Sequence, residues 1–420
     1  MNLGVPARKL LLPVISLLSG VAMLVVGMSL LFSAIGVRAG DAQFTPMITG
    51  LINSAYFAGF VLGTYACPII IRQVGHIRAF AAMASLLSTL PILHLLWQNA
   101  IYWGLLRLIT GVCLVGLYIV VESWLNVVAH TSIRGKVFAA YMATCGIGSA
   151  IGQWMILVGD KRSFLPFALV SILFSFALLP LTLTPVDEPE AVQAPAFSFK
   201  ELFYVSPVGV IAAIFSGLLN SAFYSLGTVF GQGVGFSASG IATFMAATIL
   251  GGAAFQWPIG HFSDRHDRCW VLFWVCALGA GLAALGFYFA REHENYLIFL
   301  GVALGGLMFA VYGLAVAHVN DLIDPAKTLE VTGGLLLLYG IGATAGPTVG
   351  GFVMELSGDE GLMLYFGLAL ALLALATWYF IVTRQPHQKP GAGHKGYVLM
   401  EAGSSQAALK LDPRVQQDRD

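Results

Sequence analysis

The sequence predicts an all-α membrane protein of twelve transmembrane helices, arranged as two six-helix repeats with both termini cytoplasmic. Three observations carry this. Of 420 residues, 58% are apolar and only 10% charged, with a mean hydropathy of +0.83, whereas a soluble domain carries about 25% charged residues. The apolar residues come in uncharged runs long enough to cross a bilayer, which takes about 20 residues. One glycine-spaced phrase also occurs twice, GIGSAIG at 146–152 and GIGATAG at 340–346.

Between charged or turn-rich breaks the twelve runs fall at roughly 10–36, 46–71, 79–97, 101–128, 137–158, 164–183, 206–230, 237–260, 270–290, 296–319, 329–355 and 362–382. The first run is too long for a cleaved signal sequence and reads as a retained span. With a cytoplasmic N-terminus, sixteen Lys and Arg lie on the cytoplasmic side. Four lie opposite (Arg38, Lys161, Arg162, Arg291), and Arg107 falls inside a span. That excess fixes the orientation. The polar, proline-bearing stretch 184–205 divides a first bundle, 1–183, from a second, 206–382. Residues 383–420 are rich in Gly, Gln and charge and read as a disordered cytoplasmic tail.

The formal charge is zero, which gives no reason to expect nucleic acid as a partner. The five cysteines, Cys67, Cys113, Cys145, Cys269 and Cys276, have no CxxC spacing and read as packing residues. His76, His261, His266 and His318 sit near helix ends with no metal-ligand pattern, and no metal or cofactor is expected. No P-loop, HExxH or GxSxG occurs, so an enzyme is not expected and any energy must come from a gradient.

The repeat spacing is 194 residues (340 minus 146), and it also lays YIVVESWLN at 118–126 over YGLAVAHVN at 312–320. Span four therefore matches span ten, and span five matches span eleven. Such repeats mark secondary transporters, whose site lies between the halves near midplane. Gly146, Gly148 and Gly152, and Gly342, Gly346, Gly350 and Gly351 with Pro347, are helix-packing candidates. They are expected to let spans five and eleven cross neighbours in the opposite half. Pro347 removes one backbone donor and can bend its helix.

QWPIGHFSDRHDR at 256–268 resembles the loop signature of the major facilitator superfamily, with Gly260, Asp264, Arg265 and Arg268 in register and Asp267 where glycine is usual. IIIRQVGHIR at 69–78 keeps Gly75 and Arg78 of the equivalent loop but lacks its aspartate. RLITG in span four and GATAGPTVGG at 342–351 are similar to two further motifs of the family. The second stands in span five of drug/proton antiporters and in span eleven here, which weighs against drug efflux. VVESW followed by RGK is similar to a poorly characterised bacterial branch. The resemblance implies a multi-pass protein of the bacterial inner membrane that moves a solute by alternating access. It also implies that Asp264, Arg265 and Arg268, with Gly75 and Arg78, form a charge latch at the cytoplasmic gate.

Charges inside spans are the sharpest chemical signal, since each costs roughly 2.5–3.5 kcal/mol at a helix centre. Arg107 and Glu122 stand out. At 100° per residue Arg107, Gly111, Tyr118, Glu122 and Asn126 share one stripe of span four, with the two charges about 22 Å apart. The stripe should line a cavity or pack on protein. Glu122 has two readings: a proton-coupling carboxylate, or a gate partner of Arg72 or Arg78. Arg107 either receives an anionic group of the solute or bonds helix carbonyls. Tyr118 and Tyr312 are symmetric cavity candidates, joined by Asn53, Tyr56, Gln153, Asn220 and Tyr224.

The expected function is secondary transport of a small organic solute, coupled to protons, by a protein that is monomeric in its lipid bilayer. Uptake and export stand level. Two rivals remain: a non-transporting sensor or scaffold of the same fold, and a translocator of lipid-like substrates, which predicts an apolar cavity with a lateral opening.

Overall fold

The computed structural model of the protein describes residues 7–129, 133–160, 163–184, 189, 199–292, 294–324, 327–383, 396–398 and 405–411. Among these, every regular element is a helix. The first half holds α1 (Ala7–Asp41), α2 (Pro46–Val74), α3 (His76–Leu93), α4 (Ala100–Val128), α5 (Arg134–Met155), α6 (Leu165–Phe176) and α7 (Leu178–Thr182). After α8 (Phe199–Val205), the second half holds α9 (Pro207–Gly233), α10 (Ala238–Ser263), α11 (Arg268–Tyr288), α12 (Glu294–Asn320), α13 (Thr328–Ser357) and α14 (Gly361–Thr383). A last short helix, α15 (Gln406–Leu409), lies in the tail.

Polar caps set where the spans begin. Thr45 accepts the N–H of Ile48 ahead of Pro46, and Ser237 accepts that of Gly240 at the matching place in the second half. Asn99, Ser206 and Asp267 cap α4, α9 and α11 in the same way. Each supplies an acceptor to N–H groups that a helix start leaves unpaired.

Ten of these helices are long and apolar enough to cross a membrane. Two expected spans differ. The run 164–183 is not one helix but α6, of 12 residues, followed by the 5-residue α7. Pro180 lacks the N–H that would reach the Phe176 carbonyl and its ring crowds it, and α6 stops at Phe176. The 22-residue α5 bears Arg134, Lys136 and Gln153 and is less apolar than the ten. Lys161, Arg162 and most of the expected linker (185–188 and 190–198) lie outside the described residues.

The repeat is visible in how helices cross. A Cβ on Gly59 would come within 2.0 Å of the Leu108 carbonyl, and one on Gly111 within 2.0 Å of the Tyr56 carbonyl, so α2 and α4 touch backbone to backbone. Gly251 on Val302 (2.2 Å) and Gly305 on Thr248 (2.1 Å) repeat this crossing between α10 and α12. Small residues permit such approach in apolar surroundings, where close packing rather than water exclusion holds helices together. Large side chains such as Ile101, Phe299 and Leu356 stay exposed on the outer surface, as lipid contact would have them.

The duplicated phrase packs differently from expectation. Gly148 and Gly152 lie on α1, where a Cβ on Gly152 would sit 2.5 Å from the Val26 carbonyl. Gly342 and Gly346 lie on α9 against the Ile214 and Leu218 carbonyls, at 2.0 and 2.3 Å, and Gly350 faces Leu226 on the same helix. These contacts join each helix to the first helix of its own half. Gly340, against Val61, and Gly351, against Pro46, do reach across, as does Gly146 in ordinary contact with Ala253. The phrase is duplicated because an internal crossing is.

Between the halves, α2 packs on α13, α5 on α10 and α1 on α9. Hydrogen bonds that span them gather toward one end of the bundle. Ser54 bonds Thr348 at 2.8 Å, Thr45 bonds Glu355 at 3.4 Å, Thr228 donates to Ser33 at 3.4 Å, and Asn53 Nδ2 reaches the Ser225 carbonyl at 3.5 Å. A Cβ on Gly50 would meet the Pro347 carbonyl at 2.1 Å. This end holds the α1–α2 and α13–α14 turns. The opposite end carries the α2–α3 and α10–α11 turns and the described tail, and is called the terminus-bearing face below.

Candidate functional site

A central cavity of about 640 Å³ lies between the halves. Rings dominate its wall: Phe32 from α1, Tyr56, Phe57 and Phe60 from α2, Tyr118 from α4, Tyr224 from α9, Phe309 and Tyr312 from α12, and Tyr339 from α13. Ser29, Thr64, Ser149, Asn220 and Gln256 supply the polar groups, and Ser405 of the tail forms part of the wall. Phe32, Tyr56 and Phe57 are mutually in contact, with centroids 4.8–6.0 Å apart. Tyr312 stacks edge-on to Tyr339 at 5.3 Å. Aromatic pairs of this kind form a firm wall that accepts flat or apolar bodies.

Of the expected cavity residues, Tyr56, Tyr118, Tyr312, Asn220 and Tyr224 line it. Arg107, Asn53 and Gln153 do not. Gln153 is buried between α5 and α1, where its Nε2 donates to Ser29 Oγ at 2.8 Å and its Oε1 accepts from Ser33. Asn53 ties α2 to its own Thr49 carbonyl at 3.2 Å and, across the halves, to Ser225. Both are spent on helix contacts, which an isolated polar residue in a span cannot signal.

Arg107 is fully buried behind the wall, its guanidinium carbon 4.3 Å from the Phe32 ring centroid and 4.6 Å from that of Tyr56. None of its three guanidinium nitrogens has a hydrogen-bond partner among the described residues. The expected alternative of bonding helix carbonyls is thereby corrected: cation–π contact from two rings replaces it. Those two rings also separate the charge from the cavity.

Glu122 is fully buried near the terminus-bearing face. It pairs with neither Arg72 nor Arg78, whose side chains are exposed, and the gate-partner reading falls. Among the described residues every group on the carboxylate is neutral. Tyr141 donates its hydroxyl to Oε1, and Ser405 donates its N–H to Oε1 and Oε2 at 3.1 and 3.2 Å. The Ser405 hydroxyl and the Ala408 N–H (3.0 Å) complete the set on Oε2. Asn126, one turn on, donates to the Ala407 carbonyl at 2.7 Å. The stripe on α4 thus faces protein for most of its length, and only Tyr118 reaches the cavity.

The tail itself is the largest departure from expectation. Ser405, Ala407, Ala408, Leu409 and Leu411 are buried, and Ala408, Leu409 and Leu411 extend the apolar core of the first half. Residues 384–395, 399–404 and 412–420 lie outside the described residues.

The latch candidates also resolve differently. Arg268, buried, bonds Asp321 at 2.7 Å, Ser263 at 2.8 Å and Asp264 at 3.0 Å, which joins α10, α11 and α12 within the second half. Asp264 further accepts the Tyr397 N–H at 2.9 Å. Arg265 and Arg78 are exposed. Gly75 turns α2 into α3 at φ +86°, a conformation that favours glycine.

An uncharacterized MFS-type transporter of Enterobacter sp. (strain 638) is 30% identical over 364 residues, covering 84% of this chain and 91% of that one. The chain belongs to the major facilitator superfamily. The sequence profile of the Major Facilitator Superfamily matches residues 209–413. A second uncharacterized MFS-type transporter, from Yersinia enterocolitica, is 27% identical over 90% of this chain and 97% of its own. Among solved structures the nucleoside transporter NupG superposes with a TM-score of 0.71 at 16% identity, over 91% of this chain and 99% of that one. A bacterial homolog of the human lysosomal transporter Spinster, inward-facing and occupied, gives 0.72 at 14% identity over 91% and 98%. At these identities the likeness is one of fold. The superfamily is one of multi-pass membrane transporters, not enzymes, and its members take small-molecule substrates.

Proposed function

We propose that this superfamily member is a secondary active transporter of the bacterial inner membrane, with both termini cytoplasmic and twelve crossings. A small organic solute would pass by rocking of residues 1–183 against 206–382, joined by the linker 184–205, around the aromatic cavity. One observation carries the reading: the cavity lies between the halves, and the inter-half hydrogen bonds named above gather at one end of it. That is the arrangement of a carrier closed to one side. Proton coupling rests on Glu122, a buried carboxylate that no cation neutralises among the described residues. Arg107 favours a solute with a negative group, which would reach the guanidinium when Phe32 and Tyr56 part.

A second reading gains from the largely apolar wall, since an amphipathic, lipid-like molecule would also fit it. The polar stripe of α4, which would weigh against an apolar path if it lined the cavity, faces protein for most of its length. A thermal-shift screen of the purified protein at two pH values, against carboxylates, neutral metabolites and lysolipids, separates the two. A stabilising small anion whose pH dependence vanishes in Glu122→Gln supports proton-coupled solute transport. Stabilisation by lysolipids alone moves the assignment to lipid-like cargo.

A further inference from the structure

We propose that the C-terminal segment is a tethered plug: residues 396–398 and 405–411 bind a site built by both halves and close the cavity at the terminus-bearing face. The proposal rests on reading the cavity as the solute path, and nothing in the sequence points to it.

The first half supplies the polar part of the site. Glu122 receives two backbone N–H groups and a hydroxyl from Ser405 and Ala408, and Asn126 holds the Ala407 carbonyl. A carboxylate is an acceptor only, and these donors fill both of its oxygens. The apolar part follows directly, as Ala408, Leu409 and Leu411 are each no more than 4% exposed. A segment of low apolar content would stay in water unless it met a matching surface, and here it meets one.

The second half supplies a notch. A Cβ on Gly260 would lie 2.1 Å from the Tyr397 ring, and one on Gly313 would lie 2.1 Å from the Tyr397 hydroxyl. The ring occupies space that only glycine leaves open on α10 and α12. Asp264 fixes the same residue through its backbone N–H, and α15 also packs on α13. Residues 405–411 thus grip α4 of the first half and α13 of the second, and Tyr397 seats on α10 and α12. A strap fastened to both halves opposes their rocking, and Ser405 stands in the cavity wall. The segment also occupies the hydrogen-bonding positions of Glu122, so that carboxylate becomes accessible from the cavity only when the plug leaves. The plug therefore inhibits transport, and its release licenses it.

The test uses the thiol of Cys145, which lines the cavity. Purified protein in detergent is treated with a polar maleimide, and labelling at Cys145 is followed by peptide mass spectrometry. Full-length protein is compared with a chain ending at Thr383 and with full-length Gly313→Ala, which fills the notch. Labelling is expected to be about tenfold or more faster in both variants. A synthetic peptide of residues 396–412 should restore slow labelling to the shortened chain, whereas a scrambled peptide should not. Equal rates in full-length and shortened chains of unchanged melting temperature would overturn the plug. If the shortened chain does not fold, equal rates in wild type and Gly313→Ala overturn it instead. Labelling requires no solute, so a failure of the transport reading leaves this result intact and readable.

Discussion

Glu122 and Ser405, 283 positions apart, are joined by hydrogen bonds through both the backbone and the side chain of the serine. A carboxylate that the sequence marks as expensive is satisfied by a segment that the sequence marks as unstructured. Burial without a cation costs several kcal/mol unless donors compensate, and Ser405, Ala408 and Tyr141 provide them. Glu122→Gln places an amide NH₂ against N–H donors. It is expected to loosen the tail and to abolish proton-driven solute movement in proteoliposomes while the protein still folds. Driven transport with wild-type pH dependence would show that another group carries the proton.

Arg107 is a buried cation held by two rings and no hydrogen bond among the described residues. Its charge therefore does little for the stability of this conformation. Arg107→Met keeps the volume and removes the unpaired charge. The melting temperature should be unchanged or higher, while binding of an anionic solute weakens by tenfold or more. Loss of stability with intact affinity would mark the arginine as purely structural.

Arg268 lies buried between Asp264 and Asp321. Breaking such a pair strands the remaining charge and costs about 3–5 kcal/mol. Asp321→Asn should therefore lower the melting temperature by several degrees. Because the network lies within the second half, it should do so without favouring either side of the carrier. A shift in conformational balance at unchanged stability would restore the latch.

Backbone contact at Gly59 and Gly251 leaves no room for a methyl group. Gly59→Ala and Gly251→Ala should each cost about 1–3 kcal/mol, the usual range for overpacking, and by similar amounts because the crossings are equivalent. Thermal unfolding of the two variants checks both points at once.

Gly50 meets Pro347 across the halves at the closed end. Gly50→Val should wedge that end open. Spin labels placed at Gln43 and Leu356, both exposed there, should move apart by several ångströms in double electron–electron resonance. An unchanged distance distribution would mean that this contact does not hold the end shut.

Much of the architecture is legible in the amino-acid sequence. Apolar run length reveals spans because a bilayer fixes it, and the 194-residue spacing reveals the duplication because both halves need the same crossings. Tyr56, Tyr118, Tyr312, Asn220 and Tyr224 stand out as cavity residues because polar atoms are rare in such helices. Phe32, Phe57, Phe60 and Phe309 do not, since a phenylalanine facing a cavity and one facing lipid look the same in sequence. Tyr141 escapes notice because its partner Glu122 lies on another helix, with no spacing that links the two.

What the sequence by itself determined is local and periodic: where the apolar runs lie, the repeat, and the costly charges at Arg107 and Glu122. Tertiary structure alone decided which side of each polar stripe turns inward. Backbone contacts such as Gly111 on Tyr56 rotate α4 so that Arg107 faces rings and Glu122 faces the tail. It also decided the fate of the tail. Residues 405–411 carry no pattern that predicts burial, because the surface that orders them is assembled by distant helices and exists only once the chain has folded.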